Sequence, residues 1–150
     1  MEEPMGRTTR IAFLVGTVMA LASGCAGTVL SLDVGECFDD WEGSSEGVSQ
    51  EVSDVPIVDC TEPHDNEVYS VSDMPTGSFP GDSAVQEWAS ARCEETFDGY
   101  VGKAYVDSRL DFGALFPTKD SWAQGDTKVI CFLWDIEYLK LTGSMQGSGI

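Results

Sequence analysis

The chain has 150 residues, with 26 acidic side chains against 8 basic ones and a formal net charge of −18 at pH 7. No Lys or Arg occurs between Arg10 and Arg92. Because contact with nucleic-acid phosphates needs a basic patch, this composition argues against nucleic-acid binding and against direct adhesion to anionic lipids. An acidic surface of this kind favours solubility, or it engages a basic partner or a divalent cation.

The first 25 residues have the pattern of a secretory signal that ends at a cysteine. Arg7 and Arg10 precede an apolar stretch at 11–21, and small residues then lead to Cys25. A basic start, an apolar middle and small residues at the cut are typical of a signal peptide. Since the cysteine directly follows that cut, the segment resembles a bacterial lipobox. We therefore expect residues 1–24 to be removed and Cys25 to carry a lipid anchor on the outer face of the cell membrane.

An uncleaved signal anchor is the rival interpretation of the same segment. Residues 11–32 carry no charge, and 22 helical residues would reach about 33 Å, enough to cross a bilayer core. Under either interpretation the basic start places the rest of the chain outside the cytoplasm. We expect residues 25–33 to be a short tether, 34–142 to be the folded domain and 143–150 to be a flexible tail.

The elements of the domain begin with strands. The stretch 39–54 is acidic, rich in Ser and Gly and without periodicity, which predicts a surface loop. Residues 55–60 and 67–71 are rich in β-formers and predict two strands.

A helix follows these strands. Ser83 and Gln86 have the spacing of a capping box, apolar residues recur at helical spacing as far as Val101, and Gly102 is suited to end the helix. The segment 112–116 is a weaker strand. Residues 127–135 hold an unbroken apolar run, which is typical of a strand covered on both faces. Together, these strands and this helix predict an α+β domain, in which a small, mainly antiparallel sheet packs against one main helix.

Four cysteines follow Cys25 in the chain, and they are Cys37, Cys60, Cys93 and Cys131. An even number in an exported domain indicates two disulfides, for which three connectivities exist. No C-x-x-C pair is present, so thioredoxin-like chemistry and zinc-ribbon spacing are both poor fits. Of the three connectivities we favour Cys60–Cys93 with Cys37–Cys131.

His64 is the single histidine and the first residue to weigh for catalysis or metal binding. A Cys–His pair would need a free thiolate, and no G-x-S-x-G elbow supports a serine triad. One nitrogen ligand beside ordinary carboxylates is a weak metal signal. We expect His64 and Glu67 to fix the turn beside a disulfide by hydrogen bonds, with ligand binding as the alternative. No catalytic residue, resident metal or cofactor is expected.

Two further features are candidates for binding. Asp39, Asp40, Glu42 and Glu46 supply oxygen ligands that calcium prefers, but without the spacing of a known loop, so a solvated face is favoured. Trp41 and Trp122 are predicted to lie in loops and could be exposed contact residues, since aromatic side chains are enriched at interaction hot spots. Trp88 and Trp134 fit core positions.

The order of these motifs resembles the septum-formation domain family of actinobacterial envelope proteins. The segments that carry the resemblance are Val34-Gly35-Glu36-Cys37-Phe38, Val58-Asp59-Cys60, Glu62-Pro63-His64, Glu67-Val68, Phe79-Pro80-Gly81 and Ser121-Trp122 followed by Gly125-Asp126 and Cys131. They span about residues 34–135. The family usually has Asp where Glu36 stands and often has Arg where Thr127 stands. The resemblance implies a membrane-anchored or lipidated extracytoplasmic domain associated with cell division, with no catalytic role to carry over.

The sequence therefore predicts a non-enzymatic, lipid-anchored domain that binds a protein or cell-envelope component, linked to the division site. The alternative is an envelope protein that binds a cation or small ligand through the acidic loop or His64. A hydrolase centred on His64 is the third hypothesis.

Overall fold

The computed structural model describes residues 30–41, 52 and 54–150. Five strands form one sheet, and they are β1 (Cys37–Phe38), β2 (Ile57–Val58), β3 (Asn66–Asp73), β4 (Leu110–Leu115) and β5 (Lys128–Asp135). Their order across the sheet is β2-β1-β3-β5-β4, and every neighbouring pair is antiparallel. The helices are α1 (Asp82–Val101) and α2 (Lys119–Ala123), with a 3₁₀ turn at Tyr105–Asp107. The predicted α+β class, with one main helix against an antiparallel sheet, is confirmed.

The long strands β3 and β5 form the centre of the sheet. β5 lies between β3 and β4, and residues 129–133 along it are all buried. An apolar run buried on alternate faces requires cover on both sides of the sheet. The unbroken run at 127–135 therefore predicted this strand correctly.

Helix α1 begins and ends on glycines. Gly102 adopts the left-handed conformation and its N–H bonds the carbonyl of Asp98, as expected for a helix stop. The predicted start was wrong, because Gly81 is the N-cap and no side chain caps the helix there. Ser83 lies inside the first turn. The capping box of the domain is instead at α2, between Thr118 and Ser121.

Two hydrophobic cores lie on opposite faces of the sheet. The main core is formed by the buried face of α1, which includes Val85, Cys93 and Phe97, packed on the sheet. The second core lies on the other face and includes Phe38 and Leu32. Leu32 is only 4% exposed, so the predicted tether at 25–33 is wrong in its last residues, which are part of the domain.

The predicted flexible tail at 143–150 is also corrected by the structure. Met145 is 7% exposed and belongs to the main core. The N–H groups of Gly147 and Gly149 bond the carbonyls of Tyr100 and Val101 at 2.8 and 2.9 Å. The last four carbonyls of a helix have no partner within the helix. The C-terminal segment supplies two of the missing donors and therefore packs against the end of α1.

The predicted signal peptide and Cys25 lie outside the described residues. Among the residues that the structure covers, no helix combines the length and the apolar character needed to cross a bilayer.

Gly113 of β4 faces the aromatic side chains of β5 in the second core. A Cβ atom at this position would stand 2.8 Å from Phe132 and 3.0 Å from Trp134. We expect Gly113→Val to lower the free energy of unfolding by about 1–3 kcal/mol, because packed rings must move to admit the side chain. Urea denaturation measures this loss. Ala114→Gly, on the same strand as Gly113, is the control, because it changes backbone freedom without adding bulk. Gly99→Val is unsuitable as a control because Gly99 lies within α1.

Candidate functional site

Two disulfides join Cys37 to Cys60 and Cys93 to Cys131. The favoured connectivity, Cys60–Cys93 with Cys37–Cys131, was therefore wrong. Cys37 is the register partner of Val58, two residues before Cys60, so the short β1–β2 pairing brings this pair together. Cys93 lies on the buried face of α1 above β5, and its Cα is 5.4 Å from that of Cys131.

Glu67 is a fully buried carboxylate on β3, directly opposite Cys37 of β1. It accepts hydrogen bonds from the Tyr100 hydroxyl at 2.6 Å, the Ser144 hydroxyl at 2.5 Å and the Met145 backbone N–H at 2.6 Å. Bonds to an ionised acceptor are among the stronger hydrogen bonds in proteins. Glu67 thus joins the central sheet, the end of α1 and the C-terminal segment.

Tyr100 is held as a donor to this carboxylate. Burial and the hydrogen bond to Glu67 raise the pKa of Tyr100 above its ordinary value. The hydroxyl therefore keeps its proton at physiological pH. Tyr105, in the 3₁₀ turn, shows the same effect: its hydrogen bond to Asp111 and desolvation raise its pKa to about 12.

His64 is fully buried next to Glu67. Its backbone N–H and carbonyl both bond Leu141, at 3.0 and 2.8 Å. Its Nδ1 lies 2.8 Å from the carbonyl oxygen of Glu62, and since that oxygen only accepts, we assign the ring proton to Nδ1. Its Nε2 is buried and has no hydrogen-bond partner among the residues described.

Cys37, His64 and Glu67 form a compact buried cluster. One potential ligand atom from each lies within 4.8 Å of the other two. In the disulfide form the sulfur of Cys37 is bonded to Cys60 and is not a thiolate. The carboxylate of Glu67 is already surrounded by three donors. In this state the arrangement is a structural junction rather than an open ligand site.

The beginning of the predicted acidic loop lies beside this cluster. Lys140 Nζ contacts Asp39 at 2.7 Å and Asp65 at 2.9 Å. Partial burial raises the pKa of Asp65, but hydrogen bonds from the Asp40 N–H and from Lys140 outweigh it and hold that pKa below its ordinary value. Glu42 and Glu46 lie outside the described residues. The described carboxylates are thus partly neutralised by Lys140.

The positions and burial of the four tryptophans agree only in part with those predicted from the sequence. Trp122 was predicted to lie in a loop, and this is wrong: it lies in α2, is 9% exposed and donates from Nε1 to the carbonyl of Gly77, so it is not an exposed contact residue. Trp41 is half-buried and packs edge-on against Phe132 of the second core. Trp88 and Trp134 are partly buried against the cores.

Sequence reasoning missed an open groove between the second half of α1 and the 3₁₀ turn. Its volume is about 470 Å³, and the residues that line it are Ala91, Glu94, Glu95, Asp98, Ala104, Tyr105 and Val106. Val106 is 84% exposed. The last turn of α1 holds no basic residue, although the C-terminus of a helix favours cations. Glu94, Glu95 and Asp98 are acidic residues in the second half of a helix, where basic residues are favoured. This unusual placement is the sequence signal that could have identified the groove.

The fold and the cluster define a small, disulfide-bonded α+β domain whose sheet is joined to its C-terminal segment through a buried carboxylate. The family model described as septum formation matches residues 34–147. The chain therefore belongs to the septum-formation family. The matched range includes Ser144 and Met145, which bond Glu67. Comparison with curated proteins and with solved structures finds no match.

Proposed function

We propose that this protein is a lipid-anchored, non-enzymatic domain on the outer face of the cell membrane, which binds a protein or envelope component during septum formation. The observation that carries the location is the pairing of all four cysteines of the domain in two disulfides. Disulfides persist in oxidising compartments and are rare in the cytosol. The lipobox-like approach to Cys25 agrees with export. Membership of the septum-formation family supports the link to division.

A binding role is favoured over catalysis because His64 is buried and the cysteines beside it are held in a disulfide. The imidazole is 0% exposed, so a substrate has no access to it in this conformation. Both nearby sulfurs are held in a disulfide. A nucleophile needs an adjacent base and access to its substrate, and neither cysteine provides this.

The groove beside α1 is the surface that we propose for the partner. The residues that line it include the exposed, apolar Val106 and the carboxylates of Glu94, Glu95 and Asp98. Arg92 pairs with Glu95 at 2.8 Å, which neutralises one of these charges. The remaining negative potential, added to that of the helix C-terminus, fits a partner segment with Lys or Arg beside an apolar residue.

A cation-binding role at the acidic loop has less support. Lys140 already contacts Asp39 and Asp65, so a calcium ion would have to displace a cation that the fold provides. Calorimetric titration of the disulfide form with calcium and zinc separates the two roles. Heat of binding would favour the cation role.

Localisation of the full-length protein with a fluorescent tag tests the proposal. We expect the wild-type protein on the membrane and enriched at new septa, and we expect Cys25→Ser to lose its membrane anchor. A groove variant with Glu94→Lys, Glu95→Lys and Asp98→Lys should stay on the membrane but lose its septal enrichment. The matched control carries the same change of charge at exposed positions elsewhere, as Glu87→Lys, Asp120→Lys and Glu137→Lys. Uniform membrane staining of the wild type would count against the division role.

A further inference from the structure

The Nε2 atom of His64 is buried but accepts no hydrogen bond from the residues that the structure describes. Polar groups that are buried in native proteins are nearly always hydrogen-bonded, and an exception calls for an explanation such as an ion or a redox function. This nitrogen has no partner within the part of the chain that the structure describes. A ring nitrogen of His64 lies within 4.8 Å of a carboxylate oxygen of Glu67 and of the sulfur of Cys37, which is bonded to Cys60.

The outer contacts of His64 and Glu67 are those of metal ligands. A histidine that binds a metal through one nitrogen almost always donates its other ring N–H to a carbonyl or carboxylate, and ligating carboxylates are themselves hydrogen-bonded. His64 donates from Nδ1 to the Glu62 carbonyl, which leaves Nε2 with a free lone pair. Glu67 is oriented by Tyr100, Ser144 and Met145. Both side chains are therefore fixed before any ion is present.

The sulfurs of Cys37 and Cys60 are the groups that could complete a set of four ligands with His64 and Glu67. Cys37 lies in the cluster with His64 and Glu67, and Cys60 is bonded to it. The two cysteines differ in exposure: Cys37 is 1% exposed, whereas Cys60 is half-buried in a turn between the exposed Asp59 and Thr61. An external thiolate would therefore attack the sulfur of Cys60.

We propose that reduction of the Cys37–Cys60 disulfide converts this cluster into a zinc site formed by Cys37, Cys60, His64 and Glu67. The reductant is a dithiol: its two S–H groups become a disulfide, and the Cys37–Cys60 bond takes up the two electrons and two protons as two thiols. Binding of Zn²⁺ then displaces both thiol protons and leaves two thiolates. Two sulfurs, one imidazole nitrogen and one carboxylate oxygen are ligand types that zinc accepts in tetrahedral sites. The site goes beyond the proposed partner binding and does not depend on it.

Zinc binding by the purified full-length protein tests this proposal. We expect one zinc ion per chain after anaerobic reduction and none in the disulfide form. X-ray absorption at the zinc edge should show two sulfur ligands and two nitrogen or oxygen ligands in the reduced wild type. His64→Gln should weaken zinc binding at least tenfold, which is the size of effect that even outer contacts of a metal site have.

Two cysteine variants serve as matched controls. Cys37→Ser with Cys60→Ser should abolish zinc binding, while Cys93→Ala with Cys131→Ala should bind one zinc ion after reduction as the wild type does. Equal zinc content in the reduced and disulfide forms, or a site with four sulfur ligands, would overturn the proposal. If reduction unfolds the protein, zinc should restore its circular dichroism spectrum, and failure to do so would also overturn the proposal.

Discussion

Glu67→Ala is expected to lower the free energy of unfolding by about 3–5 kcal/mol, because three donors lose their common acceptor. The Tyr100 hydroxyl and the Met145 N–H are buried, and a buried donor without a partner costs about 1–3 kcal/mol. The substitution also removes the contact through which β3 holds the C-terminal segment. Urea denaturation of the variant and the wild type measures the loss.

Two companion variants make this result specific. Glu67→Gln keeps the shape and one acceptor oxygen, so we expect it to lose less, about 1–3 kcal/mol. Glu94→Ala removes an exposed carboxylate and should stay within about 0.5 kcal/mol of the wild type. Hydrogen exchange adds a local readout, since the amides of Gly147 and Gly149 should exchange faster in Glu67→Ala. A loss below about 1 kcal/mol with unchanged exchange at these glycines would show that Glu67 does not hold the segment.

The fold class could be predicted because its main elements are long and carry local signals. The apolar run at 127–135 is too continuous for a surface strand, and it became β5. The spacing of apolar residues up to Val101 and the glycine that follows fixed the end of α1. The start of α1 was missed because Gly81 caps it without a side chain, whereas prediction relied on a polar side chain at that position.

The disulfide pairing could not be predicted because it depends on strand register. β1 and β2 each have only two residues, too few to show any periodicity. Their pairing places Cys37 opposite Val58 and thereby close to Cys60. Only the assembled sheet contains this information, so the sequence alone left three connectivities.

Two residues of the candidate site, His64 and Glu67, could be identified from the sequence, but the residues that bond them could not. His64 stood out as the single histidine, and Glu67 was predicted to fix the turn beside a disulfide together with it. Their partners were not visible, since Tyr100 and Ser144 are 33 and 77 positions from Glu67. Residues 143–150 were predicted to be a flexible tail, but the N–H groups of Gly143, Gly147 and Gly149 bond carbonyls far away in the chain, and Ser144 and Met145 bond Glu67.

The second large effect is expected at the Cys93–Cys131 disulfide. Cys93→Ala with Cys131→Ala should lower the free energy of unfolding by about 4–5 kcal/mol, of which about 4 kcal/mol is the loop-closure contribution for 38 residues. Both cysteines are completely buried in the main core, with 0% of their surface exposed. Truncation to alanine therefore also removes packing between α1 and β5. Urea denaturation without reductant measures the change.

The Cys37–Cys60 disulfide provides the matched comparison for this prediction. It closes 23 residues, and Cys60 is half-buried at the surface, so we expect Cys37→Ala with Cys60→Ala to cost less, about 3 kcal/mol. The order of the two losses follows from position as well as loop length, since one bond joins the helix to the sheet and the other joins the two-residue strand β1 to a turn. An equal or reversed order would mean that the junction around His64 and Glu67, rather than the packing of α1 on β5, limits the stability of the domain.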